Sequence, residues 1–300
     1  MKGIKGVFYA ILSSGTFGLI PLFTIPLVEE LGVNEANVLF YRFFISSLLM
    51  GGVCLLRKNN LRIGGKLILS VLGLGLLYAL TALFLVYSYN YIASGIATTI
   101  HFLYPLCVSL VMVFLFNEKQ TKSLVVAAFL SLVGVALMCW TGGELHLLGV
   151  LLAGMTVLTY GFYIVGLNQL TNKGVSADVL TFYVILTGAI LFFIYAQFDG
   201  GGVDPIPSFR AGLYLLLLAF LATVISDFAL VLAVKHAGST VTAVLGAMEP
   251  LVAVSMGVLV FAEYFGVQSF IGLLLVLFSV TLVILTSRKE ATVKEHEIVK

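Results

Sequence analysis

The sequence predicts an all-α membrane protein with ten transmembrane helices in two inverted five-helix repeats. Three observations support this fold class. Of the 300 residues, 61% are hydrophobic and 10% are charged, whereas a soluble domain carries roughly 25% charged residues. The apolar residues form ten stretches, each close to the length of a membrane span. Positively charged residues are concentrated in alternate connections, which is typical of a multi-pass membrane protein.

The ten apolar stretches are separated by charged, Gly-, Asn- or Pro-containing interruptions. We expect each stretch to be helical because a lipid-exposed backbone must satisfy its own hydrogen bonds. They are numbered here in chain order as segments 1 to 10: 6–28, 37–56, 67–89, 94–116, 123–140, 146–167, 178–197, 210–234, 239–261 and 265–286. The boundary between segments 3 and 4 depends only on the short break at Asn90 to Ala93.

The distribution of Lys and Arg predicts the orientation of the chain. An even number of spans puts both tails on one side of the membrane, and placing them inside puts all but two of the 16 Lys and Arg residues there. The exceptions are Arg210, which is outside, and Arg42, which lies within segment 2. The acidic residues show the opposite bias. The sequence therefore predicts a multi-pass protein of the cytoplasmic (inner) membrane with both termini in the cytoplasm.

An internal repeat relates the two halves of the chain. A shift of 145 positions aligns Pro105 with Pro250, Glu118 with Glu263 and Ser94 with Ser239. A shift of 143 positions aligns Phe17-Gly18 with Tyr160-Gly161, and Gly6 with Gly149. The Pro and Glu pairs keep the same separation in both halves, which is harder to obtain by chance than matches between aliphatic residues.

Each half contains five segments, so the second half enters the membrane in the opposite sense to the first. Inverted repeats of this kind are typical of secondary transporters. The predicted units are a first five-helix repeat at 1–145, a second, inverted repeat at 146–286, and a mixed-charge cytoplasmic tail at 287–300.

The sequence resembles the drug/metabolite transporter superfamily, and specifically its EamA-type transporters. The resemblance rests on two stretches, SGIATTIHFLYPLCVSLVMVFLFNEK in the first half and STVTAVLGAMEPLVAVSMGVLVFAEYF in the second. The aromatic-Gly pairs in segments 1 and 6 and the arginine of Phe40-Tyr41-Arg42-Phe43-Phe44 also fit. The resemblance implies an exporter of amino acids or other small metabolites, with a central cavity lined by segments 1, 3, 4, 6, 8 and 9.

Four ionisable residues fall inside the apolar segments, where such groups are costly and are therefore candidates for function: Arg42, His101, Asp227 and Glu249. From the helical rise, Asp227 and Glu249 lie about 11 and 15 Å from the inner boundary, and Arg42 and His101 about 10 Å from the outer one. This predicts a cavity that is acidic in its middle and inner half.

Each of these residues has a structural and a functional interpretation. Asp227 is either a buried partner of Arg42, Lys235 or a hydroxyl group, or a group that binds a proton or a cation. His101 is either a proton relay or is held by a neighbouring hydroxyl or carbonyl. For Arg42 the sequence favours a structural role, pairing with outer-side carboxylates or carbonyls. If Asp227 and Glu249 share one site, we expect one of them to hold a proton that can be exchanged for substrate.

Two prolines and several aromatic residues complete the candidate site. Pro105 and Pro250 are expected to kink segments 4 and 9 and to free the carbonyls of His101 and Gly246 for gating or binding. Tyr78, Tyr104 and Tyr160 lie on the cavity segments, as do Phe17 and Tyr163, and aromatic rings there can hold an apolar or cationic substrate. Thr223 lies one helical turn before Asp227 on a stripe of small residues.

The sequence thus predicts a secondary active transporter that exports a small organic solute by alternating access with proton coupling. An uncoupled facilitator or an importer remains an alternative, as does an intramembrane lipid-handling enzyme or a receptor. Enzymatic activity is not expected, and neither is a cofactor or a bound metal. The expected partners are a small-molecule substrate, protons and the lipid bilayer, and no nucleic acid.

Overall fold

A computed structural model of the chain describes residues 2–92, 97, 100–117, 121–139, 146–199, 201–260 and 266–298. Within these ranges the regular structure is helical, as the fold class predicts. Several residues of the sequence repeat, Ser94, Glu118 and Glu263, lie outside the described residues.

The helices follow the ten apolar segments in order. Segment 1 contains Lys2–Phe17 and Ile20–Ile25, followed by a π-helical turn at Pro26–Glu30, and segment 8 contains Phe209–Ala219, a π-helical turn at Phe220–Ile225, and Ser226–Ala237. Segment 9 is divided into Ser239–Leu245 and Met248–Val260. The other helices are Glu35–Leu56, Gly65–Tyr89, Tyr104–Phe116, Lys122–Cys139, Leu147–Asn172, Ala177–Asp199 and Val267–Ile298.

The described helices include six that are long and apolar enough to cross a membrane: Ile4–Glu30, Glu35–Leu56, Leu67–Ser88, Leu147–Asn172, Ala177–Phe198 and Phe209–Ala237. Shorter apolar helices occupy segments 4, 5, 9 and 10. The outer surface of the bundle is apolar, with exposed side chains such as Phe129, Phe198 and Leu259. This surface is suited to contact with lipid.

Most helix ends lie close to the predicted segment ends; the differences include the C-terminal ends of segments 6 and 10 and an irregular turn in segment 8. Segment 3 ends at Tyr89 with Asn90 as its C-cap, where the sequence placed the uncertain break. The last helix continues to Ile298, beyond the predicted end at residue 286, so most of the predicted tail is helical. In segment 8 the predicted single helix contains a π-helical turn, which accommodates one residue more than an α-helical turn does.

The main pairs of packed helices are symmetric: replacing each segment by its counterpart five segments away in the other half gives another observed pair. Segment 1 packs on the end of segment 8, and segment 6 packs on segment 3 in the equivalent way. Segments 1 and 9 are likewise matched by segments 6 and 4, while segments 2 and 7, and segments 5 and 10, pair with each other. The two halves therefore interlock, and neither half forms the centre of the bundle alone.

The same symmetry between the two halves is seen in two close helix contacts made by glycine. A Cβ atom on Gly6 would lie 2.5 Å from Cβ of Ala237, and a Cβ atom on Gly149 would lie 2.8 Å from Cγ2 of Ile92. Ala237 and Ile92 are themselves separated by 145 positions. Equivalent points of the two halves thus use glycine to bring two helices together.

Polar side chains join segment 2 to segment 7 at one end and to the connection after segment 7 at the other. At one end, Asp178 accepts hydrogen bonds from Arg57 Nη1 at 3.0 Å and from Asn59 Nδ2 at 2.6 Å. At the other end, Asn37 Nδ2 donates to Asp204 Oδ2 at 3.0 Å and Tyr41 Oη donates to the Asp204 carbonyl at 2.6 Å. These contacts hold segment 2 beside the centre of the bundle.

The contact of Gly18 predicts a position-specific loss of stability. A Cβ atom there would lie 2.5 Å from the carbonyl oxygen of Glu249, which is backbone and cannot move away easily, whereas a Cβ atom on Gly15 meets nothing within 4 Å. We expect Gly18→Ala to lower the free energy of unfolding by about 1–3 kcal/mol through overpacking. Gly15→Ala is the control and is expected to be neutral or stabilising by up to about 1 kcal/mol. Thermal unfolding in detergent measures both; equal stability of the two variants would contradict the contact.

Candidate functional site

The predicted site residues come together at the centre of the bundle, on segments 1, 2, 3, 4, 6, 8 and 9. Most of them are almost completely buried: Asp227 is 1% exposed and Glu249 is 8% exposed. Their side chains pack against one another and against the tyrosines of segments 3, 4 and 6. The structure therefore shows a closed arrangement around these residues.

Asp227 is held by a hydroxyl group from segment 3. Tyr78 Oη donates a hydrogen bond to Asp227 Oδ1 at 2.9 Å, and both residues are buried. The second carboxyl oxygen, Oδ2, is buried and has no hydrogen-bond partner among the described residues. Of the three structural partners considered for Asp227, the structure shows a hydroxyl. It also leaves one oxygen of this carboxyl group available for a further contact.

Arg42 lies beside segment 8. Its Nε donates to Thr223 Oγ1 at 2.8 Å, and its guanidinium carbon lies 5.6 Å from the ring centroids of both Phe17 and Phe43. Nη2 is buried and has no partner within the described part of the chain. The predicted pairing of Arg42 with outer-side carboxylates or carbonyls is not seen there. Arg42 thus brings an unpaired donor into the same buried region as the unpaired oxygen of Asp227.

The basic group of the site lies near both of its acidic groups. The guanidinium of Arg42 interacts electrostatically with the carboxyl groups of both Asp227 and Glu249. None of the three forms an ion pair with a described residue, since the ion pairs in the described ranges are Arg57–Asp178 and Arg210–Glu30.

Glu249 lies in the first turn of the helix that follows the break in segment 9. Its carboxyl group forms no hydrogen bond with any described residue, although it lies close enough to Tyr104 and Tyr160 to interact with them electrostatically. The backbone of Glu249 is fixed by the close approach of Gly18 from segment 1. The backbone of Glu249 is therefore fixed, while its carboxyl group remains able to bind either a proton or a cationic group.

His101 is held by segment 6. Its Nδ1 lies 2.8 Å from Thr156 Oγ1, and Thr156 Oγ1 lies 2.5 Å from the Ala153 carbonyl oxygen. The threonine hydroxyl has one proton, and the carbonyl can only accept it. His101 Nδ1 is therefore the donor to Thr156, which corresponds to the structural interpretation of His101 in the sequence.

Aromatic rings connect His101 to the carboxyl groups. The ring of Tyr160 lies 4.8 Å from that of Tyr104 in an edge-on arrangement and 5.2 Å from His101. Tyr163 is stacked on Tyr78 at 5.0 Å and lies 5.8 Å from Tyr160. These rings form a continuous aromatic surface from segment 4 to the hydroxyl group that holds Asp227.

Pro105 and Pro250 lie in the first turn of a new helix rather than within a kinked one. The helices beside them are Tyr104–Phe116 and Met248–Val260, and proline is well tolerated in a first turn. The prediction that Pro250 frees the Gly246 carbonyl is wrong, because that carbonyl accepts the amide of Glu249 at 2.9 Å. A Cβ atom on Gly246 would overlap the Tyr104 hydroxyl, so the break in segment 9 receives Tyr104 from segment 4.

Two residues of the site were not singled out from the sequence. Thr156 fixes His101, and it lies four residues before Tyr160 on the same helical face, which is a usable signal. Ser46 contacts the backbone of segment 8, and it lies four residues after Arg42. The described residues contain no group of three or more His, Cys, Asp or Glu side chains suited to a metal ion.

The family of the chain is shown by a family model that matches residues 4–140 and again residues 147–285, described as the EamA-like transporter family. The chain belongs to the EamA-like transporter family. It is a multi-pass membrane protein of a family whose members are transporters, and the two matches correspond to two EamA units in one chain. No curated protein matches the sequence.

A solved structure supports the fold of this EamA-like protein. A crystal structure described only as that of a protein aligns with 95% of this chain and 98% of its own, with a TM-score of 0.78. The two sequences are 17% identical. This likeness shows that the same fold occurs in another protein.

The hydrogen bond between Tyr78 and Asp227 predicts the effect of removing a single hydroxyl. Tyr78→Phe keeps the ring packed on Tyr163 but leaves both carboxyl oxygens of Asp227 without a donor. We expect it to lower the free energy of unfolding by about 1–3 kcal/mol. Tyr163→Phe is the matched control, because no described residue accepts a hydrogen bond from its hydroxyl group. Thermal unfolding of the two variants in detergent tests this; a Tyr163→Phe loss as large as that of Tyr78→Phe would contradict the assignment.

Proposed function

We propose that this protein is a secondary active transporter that exports a small zwitterionic solute, an amino acid or a related metabolite, by alternating access. The observation that carries the proposal is a pair of polar atoms at the centre of the bundle, Arg42 Nη2 and Asp227 Oδ2, that have no hydrogen-bond partner among the described residues. Buried charged groups are normally paired, so unpartnered ones of opposite sign are suited to a ligand that supplies both partners.

The charges define the chemistry of such a solute. The guanidinium of Arg42 is suited to a carboxylate, because its donors are arranged in a plane that matches two carboxylate oxygens. The free oxygen of Asp227 is suited to an ammonium group. Phe17, Tyr104 and Tyr160 surround the same region and favour a solute with an apolar or aromatic side chain.

Glu249 is the second acidic group of the proposed site, and we assign proton exchange to it. Its carboxyl group has no hydrogen-bond partner among the described residues. Like the carboxyl group of Asp227, it interacts electrostatically with the guanidinium of Arg42. Two carboxyl groups that share one cation titrate as a coupled pair, so binding of a solute ammonium group at Asp227 favours loss of a proton from the pair. Export of the solute is thereby linked to proton entry.

Alternating access follows from the two interlocked halves. In this proposal, residues 1–145 and 146–286 are inverted repeats within ten membrane spans, in an inner membrane with both termini in the cytoplasm. The symmetric pairing of the helices supports this. Separation of the helices that meet at Gly6 and Ala237 would open one side, and separation of those that meet at Gly149 and Ile92 would open the other. The helix breaks beside Pro105 and Pro250 act as the hinges of segments 4 and 9.

The experiment is solute-driven proton movement in proteoliposomes that contain the purified full-length protein and a pH-sensitive dye. The probes are a panel of amino acids together with their decarboxylated amines and deaminated acids. We expect amino acids to move protons and both kinds of analogue to fail, because each analogue lacks one of the two charges.

Two variants assign the roles of the acids. Asp227→Asn is expected to abolish both solute movement and proton movement, whereas Glu249→Gln is expected to keep solute exchange and lose its dependence on the proton gradient. Glu29→Gln, at an exposed glutamate of segment 1, is the control and should behave as wild type. Unchanged coupled transport in both site variants would refute the proposal, and proton-independent transport by the wild type would favour the uncoupled facilitator.

A further inference from the structure

The π-helical turn of segment 8 carries more side-chain hydrogen bonds than an ordinary helical turn needs. It covers Phe220–Ile225, directly before the helix that contains Asp227. Thr223 Oγ1 lies 3.2 Å from the Leu218 carbonyl oxygen, and Ser46 Oγ lies 3.0 Å from the Ala219 carbonyl oxygen. Both carbonyls lie where the backbone changes from the α-helical to the π-helical hydrogen-bond pattern.

Segment 2 supplies both external contacts to this turn. Arg42 and Ser46 are four residues apart and therefore lie on one helical face. Arg42 Nε donates to Thr223 Oγ1 at 2.8 Å, which leaves the threonine proton for the Leu218 carbonyl. The Ser46 proton is shared between the Ala219 carbonyl and the Arg42 carbonyl, which lies 2.6 Å away. Ser46 is 0% exposed, so no water replaces it.

The turn determines which side of segment 8 carries Asp227. Successive α-helical residues are about 100° apart around the helix axis, so the extra residue of a π turn rotates the side chains that follow by about that angle, compared with an uninterrupted α-helix. Asp227 follows the turn by two residues, and its hydrogen bond to Tyr78 depends on this rotation. Ser226, between the turn and Asp227, donates to the Ser13 carbonyl at 3.0 Å from the other side.

We propose that Ser46, together with the Arg42–Thr223 contact, positions Asp227 by holding the π-helical turn of segment 8 in place. Ser46 is then a positioning residue that acts on the site through the backbone and touches neither the solute nor Asp227. The inference rests on the proposed function only for the role of Asp227 in solute binding; the positioning itself concerns the contact between Tyr78 and Asp227.

The experiment measures the coupling between Tyr78 and Asp227 by thermal unfolding of the detergent-solubilised full-length protein. Tyr78→Phe and Asp227→Ala both remove the same hydrogen bond, so their effects on the melting temperature should not add in the wild-type background. In a Ser46→Ala background we expect the two effects to become additive, because Asp227 no longer faces Tyr78. A protein in which Ser46 only fills space would keep the non-additivity.

Ser47→Ala is the matched control. Ser47 is the next residue and is also buried, and within the described part of the chain its hydroxyl group donates only to the Phe44 carbonyl of its own helix, at 2.8 Å. Its background should keep the wild-type non-additivity. If Ser46→Ala does not yield folded protein, Thr223→Val replaces it, with Thr223→Ser as the variant that keeps the hydroxyl group and should restore the coupling.

Non-additivity that persists in the Ser46→Ala or Thr223→Val background would overturn the inference, and so would additivity already present in the wild type. The readout needs no solute and no transport. Loss of the coupling together with the absence of amino-acid transport in proteoliposomes would therefore reject the proposed function and leave the positioning role of Ser46 intact.

Discussion

The structure depends on the burial of one guanidinium and two carboxyl groups in the middle of an apolar helix bundle. Isolated charges in such a setting cost several kcal/mol each, of order 20 kcal/mol in the limit of a dry interior. The chain offsets part of this cost by placing Arg42 within electrostatic reach of Asp227 and Glu249 and by giving Asp227 the hydroxyl of Tyr78. Among the described residues the pairing of these groups is incomplete. The remaining donor on Arg42 and the remaining acceptor on Asp227 are what a solute would satisfy.

The two repeats share one scaffold but carry different residues at equivalent positions of the site. Positions related by the shift of 145 carry different chemistry: Tyr78 corresponds to Thr223, and Tyr104 corresponds to Glu249. The scaffold is shared, as the glycine contacts of the two halves show. The site residues have diverged on it, so the aromatic surface comes mainly from segments 3, 4 and 6 and the carboxyl groups come from segments 8 and 9.

Much of the fold could be predicted from the sequence, because apolar segments, charge bias and matched prolines are all local or periodic signals. The residues of the site could be predicted for the same reason: an ionisable group in an apolar segment stands out. The individual contacts between them could not. The sequence did not indicate that Arg42 Nε donates to Thr223, and the π turn of segment 8 has no compositional signature. The hydroxyl group of Ser46 donates to a backbone carbonyl on another helix, and no sequence pattern indicates such a contact.

The most direct test of the account is an experimental structure of the protein in the presence of an amino acid that it transports. The account predicts density for the solute at the centre of the bundle, with its carboxylate on the guanidinium of Arg42 and its ammonium group on the free oxygen of Asp227. Density elsewhere, or Arg42 and Asp227 paired directly with each other while the solute is bound, would contradict it.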